Sequence, residues 1–502
     1  MFWLIAGGIF LLLLLWIIWD LLQHKHAILH NFPIIGHFRY WLEKIGPELR
    51  QYIVTSNNEE RPFSRDERRW IYASSKNENN YFGFGTDNDL ELSPNYLIIK
   101  HSAFPLAESH KGDADYDANY RIPCTKILGA HRKRKSAFRP ESIVNVSGMS
   151  FGSLSGPAVE ALNRGSKLAG CLQNTGEGGV APHHQHGGEL IWQIGTGYFG
   201  CRTEDGGFDM QKFLRVVQST PIRAIEIKLS QGAKPGRGGL LPAAKISKEI
   251  AEIRNVPLGK DCISPAAHRE FNDADSMLDF IERLADASGL PVGIKSAVGE
   301  TQFWLDLARQ MSETDRGVDF ITIDGGEGGT GAAPLVFSDH VALPFKLAIA
   351  RVFPIFAEAG LSDKIVFIGS GKLGFPAPAL LALALGCDMI NVGREAMISI
   401  GCIQAQRCHT GICPTGVATQ NRWLMKGLNP THKSARLANY VVNLRKELLQ
   451  LSQACGQPHP STVGLDSFEI IDECFNSRPA KECFRYSDHV TARAANAPQR
   501  TI

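Results

Sequence analysis

The sequence predicts a (β/α)8 barrel. Eight short apolar strand candidates, several of them separated by helical segments, occupy roughly 250 residues, which is the usual size of that fold. Glycine-rich turns follow most of these candidates, and in a barrel such turns build the face that carries the active site. A doubly wound sheet is the alternative, but it predicts one dominant glycine-rich turn rather than the many seen here.

The strand candidates begin at Ile143. In chain order they are IVNVS, CLQN, LIWQI, AIEIKL, PVGIK, FITID, IVFIGS and MINVG. The helix after the first strand is predicted to begin at Ser155 and to stop at Gly170, since serine favours helix N-caps and glycine favours helix ends. The predicted organisation is an anchor (1–22), an extension (23–140), the barrel (141–425) and a helical C-terminal tail (426–502).

A continuous apolar run covers Phe2 to Trp19, and it is long enough to cross a bilayer when Leu21 and Leu22 are counted. No basic segment precedes it and no small-residue cleavage site follows, which disfavours a signal peptide. Basic residues come after it, at Lys25, Arg39, Lys44 and Arg50. The positive-inside rule then predicts a single-pass protein of the inner (cytoplasmic) membrane with its catalytic domain in the cytoplasm.

The composition is that of a globular protein, with 44% apolar and 21% charged residues. A net charge of +2 gives no reason to expect nucleic-acid binding. The 11 cysteines lack the repeating spacing of a secreted disulfide framework, which favours a reducing compartment. Within the extension, the charged stretch ERPFSRDERRW is predicted to be solvated. The aromatic residues Tyr81, Phe82 and Phe84, which alternate with glycine and asparagine, indicate loops and short strands.

Three cysteines stand close together in the segment GCIQAQRCHTGICPTGVATQ. Cys402, Cys408 and Cys413 have the spacing C-x5-C-x4-C, and Pro414 follows the last of them. Closely spaced thiolates on a glycine-containing loop, with proline after the final one, are typical of iron–sulfur ligation. Zinc with His409 as a fourth ligand, or no metal at all, are the alternatives.

The last two glycine-rich turns follow the seventh and eighth strands. They contain Gly369, Ser370, Gly371, Gly393 and Arg394, and this is where barrels usually bind phosphate. Two other motifs are set aside. GTGYFG lacks the helix and acidic residue of a dinucleotide site, and GSGKLG lacks the first glycine and the hydroxyl residue of a Walker loop.

The chain resembles the FMN-binding domain of glutamate synthases over about Ile143 to Gln420. In that family a loop of the form C-x5-C-H-x3-C-P-x-G-V-A-T-Q holds a [3Fe–4S] cluster, and each fixed position is matched here. The resemblance implies this cluster on Cys402, Cys408 and Cys413. It also implies FMN, with its phosphate on the last two turns.

The same resemblance implies the remaining site residues. The turn at Met149, Ser150, Phe151 and Gly152 would lie along the flavin. Lys295 would stand near the flavin N1–O2 edge, and Lys295 and Glu177 are the expected catalytic groups. The residues expected to hold 2-oxoglutarate are Lys228, Gln231, Lys234 and Arg254.

The implied reaction reduces the 2-imino acid formed from 2-oxoglutarate and ammonia to L-glutamate. The sequence shows neither the family's glutaminase domain nor a domain for NADPH, so ammonia and an electron donor such as ferredoxin are expected to come from outside. Two alternatives stay open: a methylamine–glutamate N-methyltransferase-like subunit, and a membrane-tethered flavin and iron–sulfur electron carrier without turnover. The helical tail is expected to pack on the barrel or on another subunit, which leaves an oligomer open.

The chain departs from the family at several positions. Tyr198 stands where the family has arginine, Leu240 where it has glutamine, and GEGGTG replaces HDGGTG. These changes put the identity of the keto acid or amine in question. The run with His183, His184 and His186 has no family counterpart. It is predicted to be a mobile polar loop, with metal binding as the alternative.

Overall fold

The structure, a computed structural model, describes residues 1–23, 26–54, 56–91, 93–114, 116–487 and 490. Lys25 and the end of the predicted C-terminal tail lie outside this range. The chain forms two compact units, Met1–Arg68 and Arg69–Ile502, and each is described by itself.

Helices and strands alternate through most of the chain. The α-helices are α1 (Phe2–Leu22), α2 (Ala27–Asn31), α3 (Ile35–Leu49), α4 (Arg65–Lys76), α5 (Gly156–Ala169), α6 (Met210–Ser219), α7 (Lys248–Arg254), α8 (Ala274–Ser288), α9 (Gln302–Glu313), α10 (Leu335–His340), α11 (Phe345–Glu358), α12 (Pro376–Ala384), α13 (Arg394–Ser399), α14 (Arg422–Met425), α15 (Pro430–Ala454) and α16 (Ala480–Cys483). The strands are β1 (Leu97–Ile99), β2 (Val144–Val146), β3 (Gln173–Asn174), β4 (Leu190–Ile194), β5 (Ile222–Lys228), β6 (Leu240–Leu241), β7 (Cys262–Ile263), β8 (Val292–Ser296), β9 (Phe320–Asp324), β10 (Val366–Ser370), β11 (Met389–Val392), β12 (Phe468–Ile471) and β13 (Ser477–Pro479). Short 3-10 turns cover Pro182–His184, Ala243–Lys245, Pro460–Thr462 and Leu465–Ser467, and a π-helical turn covers Arg50–Val54.

Eight parallel strands close into a barrel in the order β10-β11-β2-β3-β4-β5-β8-β9. Each of them overlaps one of the eight strand candidates, so the predicted barrel is confirmed. Most residues of these strands are buried, because helices cover the outer face and side chains fill the interior. Their near-continuous apolar character in the sequence follows from this double burial.

The first helix of the barrel begins and ends as predicted. The Ser155 side chain accepts a hydrogen bond from the Ala158 N–H, and Gly170 takes the left-handed conformation at φ 64°. The long helix α15 packs directly on this helix. A Cβ at Gly165 would stand 2.8 Å from Cβ of Leu437, so the two helices touch at a glycine. Within the described residues, the tail therefore packs on the barrel, which was one of the two expected positions, the other being against another subunit.

Two small sheets flank the barrel. Antiparallel pairing joins β1 to β12 and β12 to β13, so a segment before the barrel and segments after it form one sheet. Between β5 and β8 the chain inserts the antiparallel strands β6 and β7, with helix α7 between them in the chain. This insertion carries Lys245 and Arg254, both of which are buried.

In the first unit, α1 is long and apolar enough to cross a membrane. The expectation that the charged stretch before Trp70 is solvated holds for Arg61, Arg65 and Arg69, which are exposed. It is wrong for Glu60, Phe63 and Arg68, which are buried. The reason is local pairing, because the Arg68 guanidinium donates to the Glu60 carboxylate. The Phe63 ring is buried in the same segment. The many charged residues around it are the reason why the sequence indicated an exposed segment.

Candidate active site

The predicted catalytic and substrate lysines converge at the carboxyl ends of the barrel strands. Lys228 ends β5 and pairs in register with Lys295 on β8, so the two residues occupy neighbouring positions. Asp324 ends β9, the next strand round the barrel. This end of a barrel is where active sites sit, because side chains from several strands meet there on a rigid frame.

Lys295 is a buried cation held between carboxylates. Its Nζ lies 3.4 Å from Oδ2 of Asp324, which is longer than a normal N–H···O hydrogen bond. Burial alone would lower the pKa of Lys295, but the charges of Asp324 and Glu226 raise it above its ordinary value. The ammonium is therefore charged at neutral pH, and its contact with Asp324 leaves it able to meet another anion.

Glu226 lies at the centre of a polar network inside the barrel. Its carboxylate accepts hydrogen bonds from Asn174 at 2.8 Å, Gln193 at 2.6 Å and Thr322 at 2.7 Å. These donors come from three other strands, and all four side chains are buried. A fully hydrogen-bonded buried network is rigid, so it holds the Glu226 carboxylate, whose charge raises the pKa of Lys295, in a fixed position.

Glu177, in the turn after β3, is surrounded by the predicted substrate cations. The Lys228 Nζ donates to Oε1 of Glu177 at 2.7 Å and to Oε1 of Gln231 at 3.1 Å. Burial would raise the pKa of Glu177, but the charges of Lys228, Lys234 and Arg254 lower it to about 2. The turn thus gathers positive charge, with one carboxylate at its centre.

Lys234 and Gln231 shape the rest of this cluster. Burial lowers the pKa of Lys234, and the nearby Glu177 charge only partly offsets this effect. Gln231 donates through Nε2 to the Gly329 carbonyl at 2.8 Å, which ties the turn after β5 to the glycine-rich turn after β9. A Cβ at Gly232 would stand 1.8 Å from the Gly325 carbonyl oxygen, so the two turns also touch through backbone.

Arg254 holds the first turn of the barrel in place. Its Nη2 donates to the Phe151 carbonyl at 2.9 Å and to Oγ of Ser150 at 3.4 Å. Its guanidinium also lies over the Phe199 ring, 5.1 Å from the centroid. The Arg254 charge also acts on Glu177. Its hydrogen bonds position the turn that was predicted to lie along the flavin.

The predicted flavin turns lie at the same end of the barrel. A Cβ at Gly176 would stand 2.6 Å from the Ser150 N–H nitrogen, so the turn after β2 lies directly against the turn after β3. Gly369 and Ser370 end β10, with Gly371 after them. Gly393 caps α13, and the Arg394 guanidinium donates to the Glu327 carbonyl.

The cysteine loop is fastened to the first turn. Gln420 donates through Nε2 to the Leu154 carbonyl at 2.8 Å, and the Ser155 N–H donates to the Val417 carbonyl at 2.9 Å. On its other side, Lys245 donates to the Cys408 carbonyl at 2.6 Å. The loop is thereby held beside the turn that was predicted to lie along the flavin.

The thiols of this loop differ in acidity. Burial would raise the pKa of Cys413, but hydrogen bonds from the Ala418, Thr415 and Val417 backbone together with the Thr415 hydroxyl lower it below its usual value. Burial and the neighbouring Cys413 raise the pKa of Cys408. Among the described residues, no three side chains of His, Cys, Asp or Glu stand close enough together to hold a metal ion.

Tyr198 occupies the position of the missing family arginine, and it is fully buried. His268 donates through Nε2 to the Lys228 carbonyl at 2.9 Å, so its Nδ1 accepts the Tyr198 hydroxyl proton at 3.1 Å. The Tyr198 oxygen in turn accepts from the Arg269 N–H at 3.1 Å. Tyr198 therefore braces the backbone at the end of β5 rather than supplying a cation.

The prediction of a mobile polar loop at the histidine run is wrong for His184. This side chain is fully buried, and its Nδ1 accepts from the Ala181 N–H at 3.0 Å. Burial, and then the charge of His183, lower the pKa of His184 to about 3. His183 packs on the Phe151 ring at 4.7 Å. The run folds as a tight turn because imidazole can hydrogen-bond the backbone while it fills apolar space.

Four residues of the site escaped the sequence analysis: Glu226, His268, Asp324 and Lys245. A signal existed for two of them, since Glu226 and Asp324 are charged residues inside otherwise apolar strands. Glu226 and Lys228 are two apart on β5, which places both on the same face of that strand. His268 and Lys245 lie in the insertion between β5 and β8, where no periodicity identifies them.

A closed barrel with buried charges at its strand ends defines an enzyme of the (β/α)8 class. The family model described as the conserved region in glutamate synthase matches residues 114–458. The chain belongs to the glutamate synthase family and is a glutamate synthase-like oxidoreductase, of the type that acts on CH–NH2 groups.

Individual relatives agree with this assignment. The glutamate synthase large subunit-like protein YerD of Bacillus subtilis (strain 168) is 41% identical over 481 residues, which cover 90% of this chain and 91% of the relative. The archaeal glutamate synthase (NADPH) of Methanocaldococcus jannaschii is 35% identical over 339 residues, covering 66% of this chain but only 62% of its own length. A mutant flavocytochrome b2 with pyruvate bound matches with a TM-score of 0.42 and 14% identity, over 88% of this chain and 87% of that one. This last likeness is too distant to support an argument.

Proposed function

We propose that this protein reduces the 2-imino acid formed from 2-oxoglutarate and ammonia to L-glutamate, using FMN, a [3Fe–4S] cluster and an external electron donor such as ferredoxin. The catalytic domain is the barrel of residues 141–425. The observation that carries the proposal is the convergence of Lys228, Lys234 and Lys295 at neighbouring strand ends, with Glu177 between the first two.

The residues present fit FMN. Lys295 is a buried ammonium whose 3.4 Å contact with Asp324 is longer than a normal hydrogen bond, and such a group stabilises negative charge near the flavin N1–O2 edge. Ser370 ends β10, and Gly371 and Gly393 directly follow the adjacent strands β10 and β11, where backbone N–H groups suit a phosphate. When bound, FMN supplies hydride transfer.

The cations of the turn after β5 are suited to a dicarboxylate. Lys228 and Lys234 both act on Glu177, so a carboxylate already occupies the centre of the cluster. A substrate carboxylate would take over part of this pairing through charge-assisted hydrogen bonds. Arg254 keeps the Ser150–Phe151 turn fixed while this exchange takes place.

The donor chemistry of the cysteine loop fits an iron–sulfur cluster, though the three thiols do not stand as one metal-binding group. Backbone N–H groups directed at the Cys413 sulfur lower its pKa, and such hydrogen bonds favour thiolate ligands. Cys402, Cys408 and Cys413 would hold the cluster. Gln420 fastens this loop to the turn proposed for the flavin, which supports electron transfer between the two groups.

The proposed location is the inner membrane, with α1 as a single-pass anchor and the barrel in the cytoplasm. The support is the length and apolar character of α1, together with the basic residues that follow it.

The test begins with the full chain purified in detergent without oxygen, followed by flavin and iron analysis. The flavin is then reduced by light and mixed with 2-oxoglutarate, ammonia, or both. We expect reoxidation only with both substrates, with L-glutamate formed in equal amount. Formation of N-methylglutamate and ammonia from methylamine with glutamate, a transfer that consumes no electrons from the flavin overall, would instead favour the N-methyltransferase-like subunit. A flavin that ignores every substrate pair would favour the electron carrier.

A further inference from the structure

Helix α3 exposes an apolar face. The apolar side chains more than a third exposed on this helix are Ile35, Phe38, Trp41, Leu42 and Leu49. At 100° per residue they fall within an arc of about 120°. The Arg39–Glu43 ion pair, at 2.9 Å, borders this arc on the side of Ile35. The helix is thus amphipathic, with its apolar face turned to the outside.

The start of α3 is fastened to the last turn of α1. Asp20, a fully buried residue of α1, accepts a hydrogen bond from the Ile34 N–H at 2.9 Å. The same carboxylate pairs with Nε2 of His37 at 2.9 Å. On the neighbouring helix α2, Leu29 would lie 3.0 Å and the Ile28 carbonyl oxygen 3.1 Å from a Cβ at Gly36, so α2 and α3 pack closely at this glycine. These contacts fix where α3 begins relative to α1.

This position matters because α1 matches a bilayer in length. Its 21 residues span about 31 Å, close to the ~30 Å of a hydrocarbon core. Asp20 is two residues before the end of α1, or about 3 Å along the axis. If α1 spans the membrane, α3 therefore begins at the boundary between acyl chains and headgroups.

We propose that α3 lies in the membrane–water interface, with Ile35, Phe38 and Trp41 in the acyl boundary of the lipid. This inference rests on the proposed anchor and adds a second membrane contact to it. An amphipathic helix at this depth buries its apolar face, and an aromatic side chain such as Trp41 favours the headgroup level. A second copy of the chain could also cover the face, but the direct continuity of α3 with the end of α1 favours lipid.

The test uses the full chain in phospholipid vesicles that contain a photoactivatable phospholipid, with the reactive group in the upper acyl chain. After illumination, peptides carrying lipid are identified by mass spectrometry. We expect adducts in residues 2–22 and again in residues 35–49. The internal control is Leu335 in the barrel, which is 74% exposed and should carry none.

A double variant, Phe38→Ser with Trp41→Ser, should reduce the adducts in 35–49 to the level of the Leu335 control and leave those in 2–22 unchanged. The matched control is Lys44→Ser on the same helix, which should change neither. Adducts confined to 2–22 would overturn the proposal and keep the anchor. Adducts in neither segment would overturn both. Cross-links between two copies through 35–49, without lipid adducts there, would assign the face to self-association.

Discussion

Lys228 and Lys234, from the end of β5 and the turn after it, both lower the pKa of one carboxylate, that of Glu177. Two buried ammonium groups near each other would repel without Glu177 between them. The same arrangement is suited to receive a substrate carboxylate. Lys234 is the better group to test, because Lys228 is directly paired with Glu177 at 2.7 Å.

We expect Lys234→Ala to weaken 2-oxoglutarate binding about ten- to a hundredfold, the usual effect of losing one charge-assisted contact. The measurement is a titration of the oxidised flavin spectrum. The matched control is Lys248→Ala. Lys248 is exposed, and its ion pair with Glu252 on the next turn of α7 is long, at 3.9 Å, so its loss should not affect substrate binding. Equal affinities in wild type and Lys234→Ala would remove this lysine from the substrate site.

Glu177 also predicts a dependence of stability on pH. Its pKa is lowered from 4.5 to about 2 in the folded protein, so the ion pairs contribute stability above pH 4.5. That contribution is lost as the pH falls from 4.5 towards 2. We expect Glu177→Gln to lower the thermal unfolding midpoint at pH 7, and the gap to wild type to narrow between pH 5 and about 3.5. A gap that stays constant over this range would contradict the assigned pairing.

At the scale of elements, the cysteine loop is fastened by contacts that do not involve the three thiols. Gln420 and Val417 bind the first turn, and Lys245 binds the Cys408 carbonyl. The loop should therefore keep its place when one thiol is removed. The proposed flavin site lies on other turns, so it should also survive.

We expect Cys408→Ser to lose its iron and its visible iron–sulfur absorption while retaining most of its FMN. The control is Cys474→Ser, because Cys474 is exposed and lies outside the loop. Metal analysis and the absorption spectrum of protein purified without oxygen provide the measurement. Stoichiometric zinc without iron in the wild type would show that the cluster assignment is wrong.

The contact between α5 and α15 depends on a glycine. A Cβ at Gly165 would lie 2.8 Å from both Leu437 and the Ser434 carbonyl oxygen, so alanine must push the helices apart. We expect Gly165→Ala to lower the free energy of unfolding by about 1–3 kcal/mol, as overpacking does. Leu168→Ala is the control on the same helix, because Leu168 is exposed. Urea unfolding of both variants should show a loss only for Gly165→Ala.

At the scale of the whole molecule, the sequence predicted the strands of the barrel well, but it predicted neither the helices α2, α3 and α4 nor the contacts between distant segments. The eight strands were found because buried parallel strands read as apolar runs between glycine-rich turns. Lys228, Lys295 and Glu177 were found because they match a family pattern, and the structure brings Lys228 and Glu177 into contact and sets Lys295 beside Lys228 on the neighbouring strand.

What the sequence did not predict depends on tertiary contacts. His184 is buried in a short turn, and its sequence neighbours are polar, so no local pattern marks it as interior. Arg254 appeared as a substrate cation, but its hydrogen bonds to Ser150 and Phe151 join residues about a hundred positions apart. Such long-range pairings follow from the closure of the barrel, and periodicity within one segment carries no information about them.

Helix α1 should hold the full chain in the membrane. Alkaline carbonate releases peripheral proteins but leaves spanning helices in the bilayer, so the full chain should stay with the membrane after this treatment. A chain without residues 2–22 should be released, because α3 alone buries too little apolar surface to resist extraction. It should still contain flavin, since no flavin residue lies in α1. The measurement is the distribution of protein between pellet and supernatant. Release of the full chain, or a cleaved N-terminus in the membrane fraction, would show that α1 is not the anchor.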